Sequence, residues 1–140
     1  MPLVRERLAA GHCVRYLPFR GVSMMPMLRQ GIDSVEISPL PEKMKKYDLP
    51  VYQDPSGKYV MHRVVAVKED HYICLGDNLM EKEIITPDMM IGVVSAFKRG
   101  DKRISVDELS YKMYCRVWCA LFPLRKCWRK SKSWLRRLLK

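Results

Sequence analysis

Gly21-Val22-Ser23-Met24-Met25-Pro26-Met27-Leu28-Arg29-Gln30-Gly31 is the stretch around which this chain is organised. A glycine shortly before a serine lets the backbone turn so that the hydroxyl stands clear of the chain. Pro26, three residues on, fixes one φ and keeps the loop from becoming a helix. A hydroxyl on a stiff loop is the starting geometry of a nucleophile, once a base arrives from elsewhere in the chain. The competing reading is a buried apolar loop with an incidental serine, in which Met24, Met25 and Met27 serve packing and line no pocket.

On both sides of the loop the pattern is that of strands. Cys13 to Phe19 precedes it and Ser34 to Ile37 follows it. Leu49 to Tyr52 resumes a strand, and Asp54-Pro55-Ser56-Gly57 is a strong turn signal. Lys58 to Val67, rich in valine and tyrosine, pairs as a hairpin with His71 to Leu75, and Ile91 to Lys98 is a further strand in which Gly92 marks a bulge. Short strands with turn-punctuated spacing predict a mainly β body. Before it, Pro2 to Ala10 reads as a short helix stopped by Gly11. After it the period changes. A helix opens at Asp107-Glu108 and runs to Pro123, and a second helix follows that proline. The expected division is an N-terminal helix over 1–12, a β domain over 13–105 and a basic amphipathic helical tail over 106–140.

The net charge of +11 is concentrated at one end. All 15 acidic residues lie at or before Glu108, and the first 109 residues hold 16 basic groups. The ten basic residues from Lys112 to Lys140 therefore make a cationic arm on a near-neutral body. In the second helix Leu124, Cys127, Trp128, Leu135, Leu138 and Leu139 fall near one face, and the basic residues fall mainly on the other. With Trp118, Trp128 and Trp134, this is the composition of a helix that lies on an anionic membrane surface, where each basic residue adds roughly 1 kcal/mol. The bland alternative is a helix docked on the body with a solvated basic face. Nucleic acid is the competing partner, but no helix-turn-helix pattern precedes the β region and the body is close to neutral. Cys115 and Cys119, one helical turn apart, are either packed or sites of palmitoylation.

Five cysteines with no Cys-x-x-Cys pair argue against a disulfide framework or a zinc ribbon and favour a reducing compartment. His12 and His71 share no ligand spacing with any cysteine, so no metal and no cofactor is expected. Charges stand where a secretory leader needs its apolar core, and no uncharged apolar run reaches membrane-spanning length. The expected location is cytoplasmic, peripheral at a membrane.

Three segments in order now matter together: Gly21-Val22-Ser23-Met24-Met25-Pro26-Met27-Leu28, then Tyr59-Val60-Met61-His62-Arg63-Val64-Val65, then Gly76-Asp77-Asn78. Across roughly residues 13–98 the chain resembles the signal-peptidase and LexA-like serine peptidase superfamily. The first segment is similar to that family's nucleophile box, the second to its general-base box and the third to its Gly-Asp-Asn box. The resemblance implies the family's compact β fold, with Ser23 as nucleophile and His62 as general base. A histidine at the base position resembles the endoplasmic-reticulum and archaeal branch rather than the lysine-dependent bacterial and LexA branches. That branch implies Asp77 as the acid orienting the histidine, and the alternative for Asp77 is a residue capping its own turn.

The chemistry agrees with the resemblance. A serine hydroxyl near neutral pH needs an adjacent base to take its proton during attack. Imidazole titrates near neutrality, accepts that proton and returns it to the leaving amine. The expected activity is therefore hydrolysis of one peptide bond in a peptide or protein precursor, the substrate lying extended along a strand edge. Two alternatives stand beside it: an inactive relative that only grips a peptide, and a self-cleaving regulator of the LexA kind. The LexA resemblance implies self-cleavage at an Ala-Gly or similar bond well upstream of the serine, and Ala10-Gly11 is present but too close to Ser23 to fold back comfortably. Two features depart from the family pattern. The sequence opens on a short charged segment where signal peptidases carry a membrane anchor, and Gly31-Ile32-Asp33-Ser34-Val35 replaces the tighter Gly-Asp after the nucleophile box.

Overall fold

The computed structural model describes residues 2–140, with only the backbone of Tyr16. It is mostly β, with two antiparallel sheets, a short N-terminal helix and C-terminal helices. Helix α1 spans Pro2–Ala9, and Gly11 stops it at φ +83, a backbone conformation that glycine adopts without strain. The larger sheet runs β1 (Val14–Pro18), β2 (Ser34–Ser38), β8 (Met90–Arg99), β3 (Pro50–Gln53), β4 (Tyr59–Met61), with β9 (Lys102–Ser105) also paired to β8. The smaller sheet is β5 (Arg63–Val67), β6 (Tyr72–Leu75) and β7 (Glu83–Ile85).

Lys58 to Val67, which reads as one strand in the sequence, is two strands in two different sheets. β4 ends at Met61 and β5 begins at Arg63, so His62 is the joint between the sheets. The physical reason lies in side-chain direction. Successive residues of a strand point to opposite faces, yet His62, Arg63 and Val64 are all buried. Breaking the strand at His62 lets neighbouring polar side chains both turn inward. The hairpin with residues 71–75 survives as β5–β6, with Arg63 opposite Leu75.

Two clusters make the core. Met24, Met27, Leu28, Val35, Ile37, Leu49, Val51 and Phe97 join Leu8 of α1 under the large sheet, while Tyr52, Val64, Tyr72, Cys74, Ile85 and Met90 pack at the smaller one. Gly92 sits where a Cβ would approach Ile37 Cγ2 to 2.5 Å and Leu8 Cδ1 to 2.9 Å, so the close packing of Ile37 and of α1 on β8 requires its missing side chain. The β3–β8 register shifts between Val51 and Tyr52, next to that glycine.

α2 spans Leu109–Ala120 and α3 spans Phe122–Leu138, with Pro123 in the first turn of α3. Tyr111 and Cys115 of α2 are buried in the main core. No residue of α3 is buried. Among the described residues no helix is long and apolar enough to cross a membrane.

Candidate active site

The serine loop is closed at both ends by polar bonds. Gly21 N–H donates to the side-chain oxygen of Gln30. At the far end Asp33 accepts from Arg29 N (2.8 Å), Arg29 Nε (3.0 Å) and Gly100 N (2.9 Å). Burial alone would raise the Asp33 carboxyl, but these donors hold it below its usual range. The longer Gly31–Val35 run thus has a use, since its aspartate ties the loop to the β8–β9 turn. Met24, Met27 and Leu28 are buried beneath the loop, and Val22 and Met25 are exposed above it.

From its other side the loop is gripped by the Gly76-Asp77-Asn78 segment. Asn78 N donates to Ser23 O at 2.8 Å, and Asn78 Nδ2 donates to Val22 O at 3.1 Å. Gly76 lies so close that a Cβ there would stand 2.8 Å from the same Ser23 oxygen, which is why this position takes glycine. Asp77 faces the opposite way. Both of its carboxylate oxygens accept from Arg63, Nε and Nη2 each at 2.9 Å, and Tyr114 OH adds a third bond at 2.9 Å.

Arg63 is the hub of this arrangement, with 0% of its surface exposed. It also donates to Tyr111 OH at 2.8 Å and Cys115 Sγ at 2.9 Å, and reaches Met27 Sδ at 3.1 Å. Burial works against its charge, but the two-pronged bond to Asp77 more than restores it and holds its pKa well above the ordinary value. The arginine beside the candidate base therefore fixes the segment that fixes the candidate nucleophile.

His62 is 4% exposed and has different company. Its Nδ1 lies 2.9 Å from Tyr52 OH and 3.3 Å from Glu83 Oε2. Tyr52 donates its single proton to Glu83 at 2.6 Å, so the phenol oxygen must accept from His62 Nδ1–H. Burial, then the Glu83 carboxylate, push the Tyr52 pKa far up, which keeps that proton in place. The ring is thereby set in the tautomer that leaves Nε2 as proton acceptor. Burial lowers the His62 pKa and Glu83 opposes that fall. The carboxylate at Nδ1 is thus Glu83 on β7, and the expectation that Asp77 orients His62 is corrected: Asp77 is fully engaged by Arg63 and Tyr114.

Ser23 and His62 line one cavity of about 750 Å³, together with Glu83 and apolar groups from β1 and β4 such as Leu17 and Val60. No direct hydrogen bond joins Ser23 to His62 among the described residues. β1 and β4 end the strand path β1-β2-β8-β3-β4 of the large sheet, and residues of both line the cavity. Met24 serves two ends, lining the cavity and packing in the core.

Compared with protein-family models, curated proteins and solved structures, the chain matches none.

Tyr52 and Glu83 are the site residues that sequence reasoning missed. Glu83 lies in a Glu-Lys-Glu run that looks like a solvated turn, and β7 has no apolar alternation long enough to mark it. His71 pairs with exposed Asp70, and His12 is exposed, so neither belongs to the site.

If His62 serves as a base, Glu83→Gln is expected to lower kcat by about tenfold or more, because the imidazolium then formed loses its carboxylate. It also removes the group that holds the His62 pKa up, so the acid limb of kcat/KM should move to lower pH. A pH–rate profile of the variant checks both. An acid limb that stays put or rises would dissociate Glu83 from the base.

Proposed function

We propose that this protein is a serine peptidase of the signal-peptidase type, hydrolysing a peptide bond in a peptide or protein precursor with Ser23 as nucleophile and His62 as general base. The observation that supports it most is that Ser23 and a histidine already set in the proton-accepting tautomer line one cavity, together with residues of β1 and β4. A substrate strand adds to a sheet edge through main-chain hydrogen bonds, and the apolar lining takes its side chains.

In this reading Ser23 Oγ attacks the scissile carbonyl carbon while its proton passes to His62 Nε2. The N–H groups of Ser23 and Met24 make no backbone hydrogen bond among the described residues and are free to take the developing oxyanion. The C–N bond then breaks as His62 gives its proton to the leaving amine. Water, deprotonated by the same histidine, releases the acyl group from Ser23. Glu83 and Tyr52 hold the ring throughout and offset the charge of the imidazolium. Free enzymes of this kind commonly have a loose serine–histidine contact that tightens around substrate. The place of action in this reading is the cytoplasmic face of a membrane, with the protein bound peripherally.

A serine-directed phosphonylating reagent, which Ser23 Oγ attacks at phosphorus with loss of its leaving group, tests the reading. Peptide mapping by mass spectrometry should find a single adduct, on Ser23, that forms slowly or not at all in His62→Ala. An adduct elsewhere, or equal labelling of the two proteins, rejects the assignment. An intact chain after prolonged incubation under the same conditions would set aside self-cleavage.

A further inference from the structure

The C-terminal helix is turned the wrong way for a helix docked on its own domain. At roughly 100° per residue, Leu124, Cys127, Trp128, Trp134, Leu135 and Leu138 share one arc of α3, and the basic residues fill the remainder. In a surface helix the apolar stripe ordinarily faces the core. Here Trp128 and Trp134 are 60% and 63% exposed, and no residue of α3 is buried. It is the basic side that meets the body. Arg125 donates to Asp77 O at 2.9 Å, and Arg129 donates to Asn78 Oδ1 at 2.6 Å. The apolar stripe therefore faces away from the domain. The arm from Ser110 to Lys140 has ten basic residues and no acidic one.

Three occupants would cover that stripe differently. A second copy of the chain would bring two strongly cationic arms together, which repel. A nucleic acid would take the basic side, part of which already grips Asp77 and Asn78, and would leave both tryptophans in water. An anionic bilayer satisfies both halves of the helix at once, taking leucine and tryptophan into the acyl boundary and lysine and arginine at the headgroups. Resting on the peripheral location proposed above, we infer that α3 is a membrane-docking helix that lies in the plane of an anionic bilayer with its Leu124–Trp128–Leu135 side down and the β domain held above it by Arg125 and Arg129. Asn78, which accepts from Arg129, also donates to Ser23 O, so a single residue links the serine loop to the polar side of the helix.

The test uses the full chain with vesicles of phosphatidylcholine alone or mixed with phosphatidylserine. The chain should float with the mixed vesicles and at least about tenfold less with the neutral ones, and binding should weaken in high salt. Brominated acyl chains should quench Trp128 and Trp134, read in a variant with Trp118→Phe. Trp128→Ser combined with Leu135→Ser alters exposed side chains only and should lower partitioning by about tenfold or more, with the circular dichroism of the domain unchanged. Absence of binding, equal binding to neutral vesicles, or full binding by the double variant overturns the inference. So does binding to an oligonucleotide that the double variant retains while vesicles leave the wild type unbound. Phosphonate labelling of Ser23, measured without vesicles, separates the two readings. Labelling that fails while vesicle binding holds rejects the peptidase alone, and labelling that holds while binding fails rejects the docking helix alone.

Discussion

Ser23→Ala is expected to abolish peptide hydrolysis, a loss on the order of 10⁴- to 10⁶-fold in kcat with the fold intact. The size follows from the chemistry, because no other hydroxyl is held in the loop gripped by Asn78, and the base without its nucleophile can only assist water. Ser23 lines the cavity and its side chain makes no hydrogen bond among the described residues, so alanine costs the fold little. His62→Ala should fall nearly as far, and the double variant should be little worse than either single one, since nucleophile and base act as a unit. Hydrolysis of a fluorogenic peptide by the three variants checks this. Losses that multiply in the double variant would mean that the two residues act independently and that the acyl-enzyme reading is wrong.

The second large effect falls on stability. Arg63→Ala or Asp77→Ala removes one partner of a fully buried ion pair and leaves the other charge without compensation, at a cost of about 3–5 kcal/mol. Such a loss is a large share of the roughly 5–15 kcal/mol by which a domain of this kind is stable. Arg63 is the harder loss, because Tyr111, Cys115 and Met27 are bonded to the same guanidinium. Chemical denaturation of each variant gives the cost. The double change Arg63→Met with Asp77→Asn, which removes both charges together, should cost clearly less than the two single changes added. An Asp77 that served mainly to orient His62 would behave differently. Asp77→Asn would then leave stability near wild type and alter the pH–rate profile, which is the behaviour expected instead of Glu83→Gln.

Much of the architecture was legible because it is local. Gly11 and the Asp54–Gly57 turn punctuate the chain through backbone conformations that few other residues take, and of the hairpin expected between residues 58–67 and 71–75 the β5–β6 part is found. β7 and β9 were not legible, being three and four residues long and half exposed, too short for any alternation to register. The joint at His62 was hidden for the opposite reason: Tyr59 to Val67 is uniformly good strand sequence. What ends the strand is the demand of two buried polar side chains, and their partners, Tyr52 with Glu83 and Asp77 with Tyr111, come from elsewhere in the chain.

Sequence by itself therefore determined the β body, the cationic arm, and Ser23 and His62 as residues to watch, since each rests on residue type and near-neighbour spacing. Tertiary structure alone decided which carboxylate serves which cation. Asp77 and Glu83 are both acids within a few residues of one another, and only the turn between β6 and β7 sends the first to Arg63 and the second to His62. It also decided which side of α3 faces outward. An amphipathic pattern states that a helix has two faces, while the direction of each depends on what the domain offers, and here Asp77 and Asn78 offer oxygens to arginines.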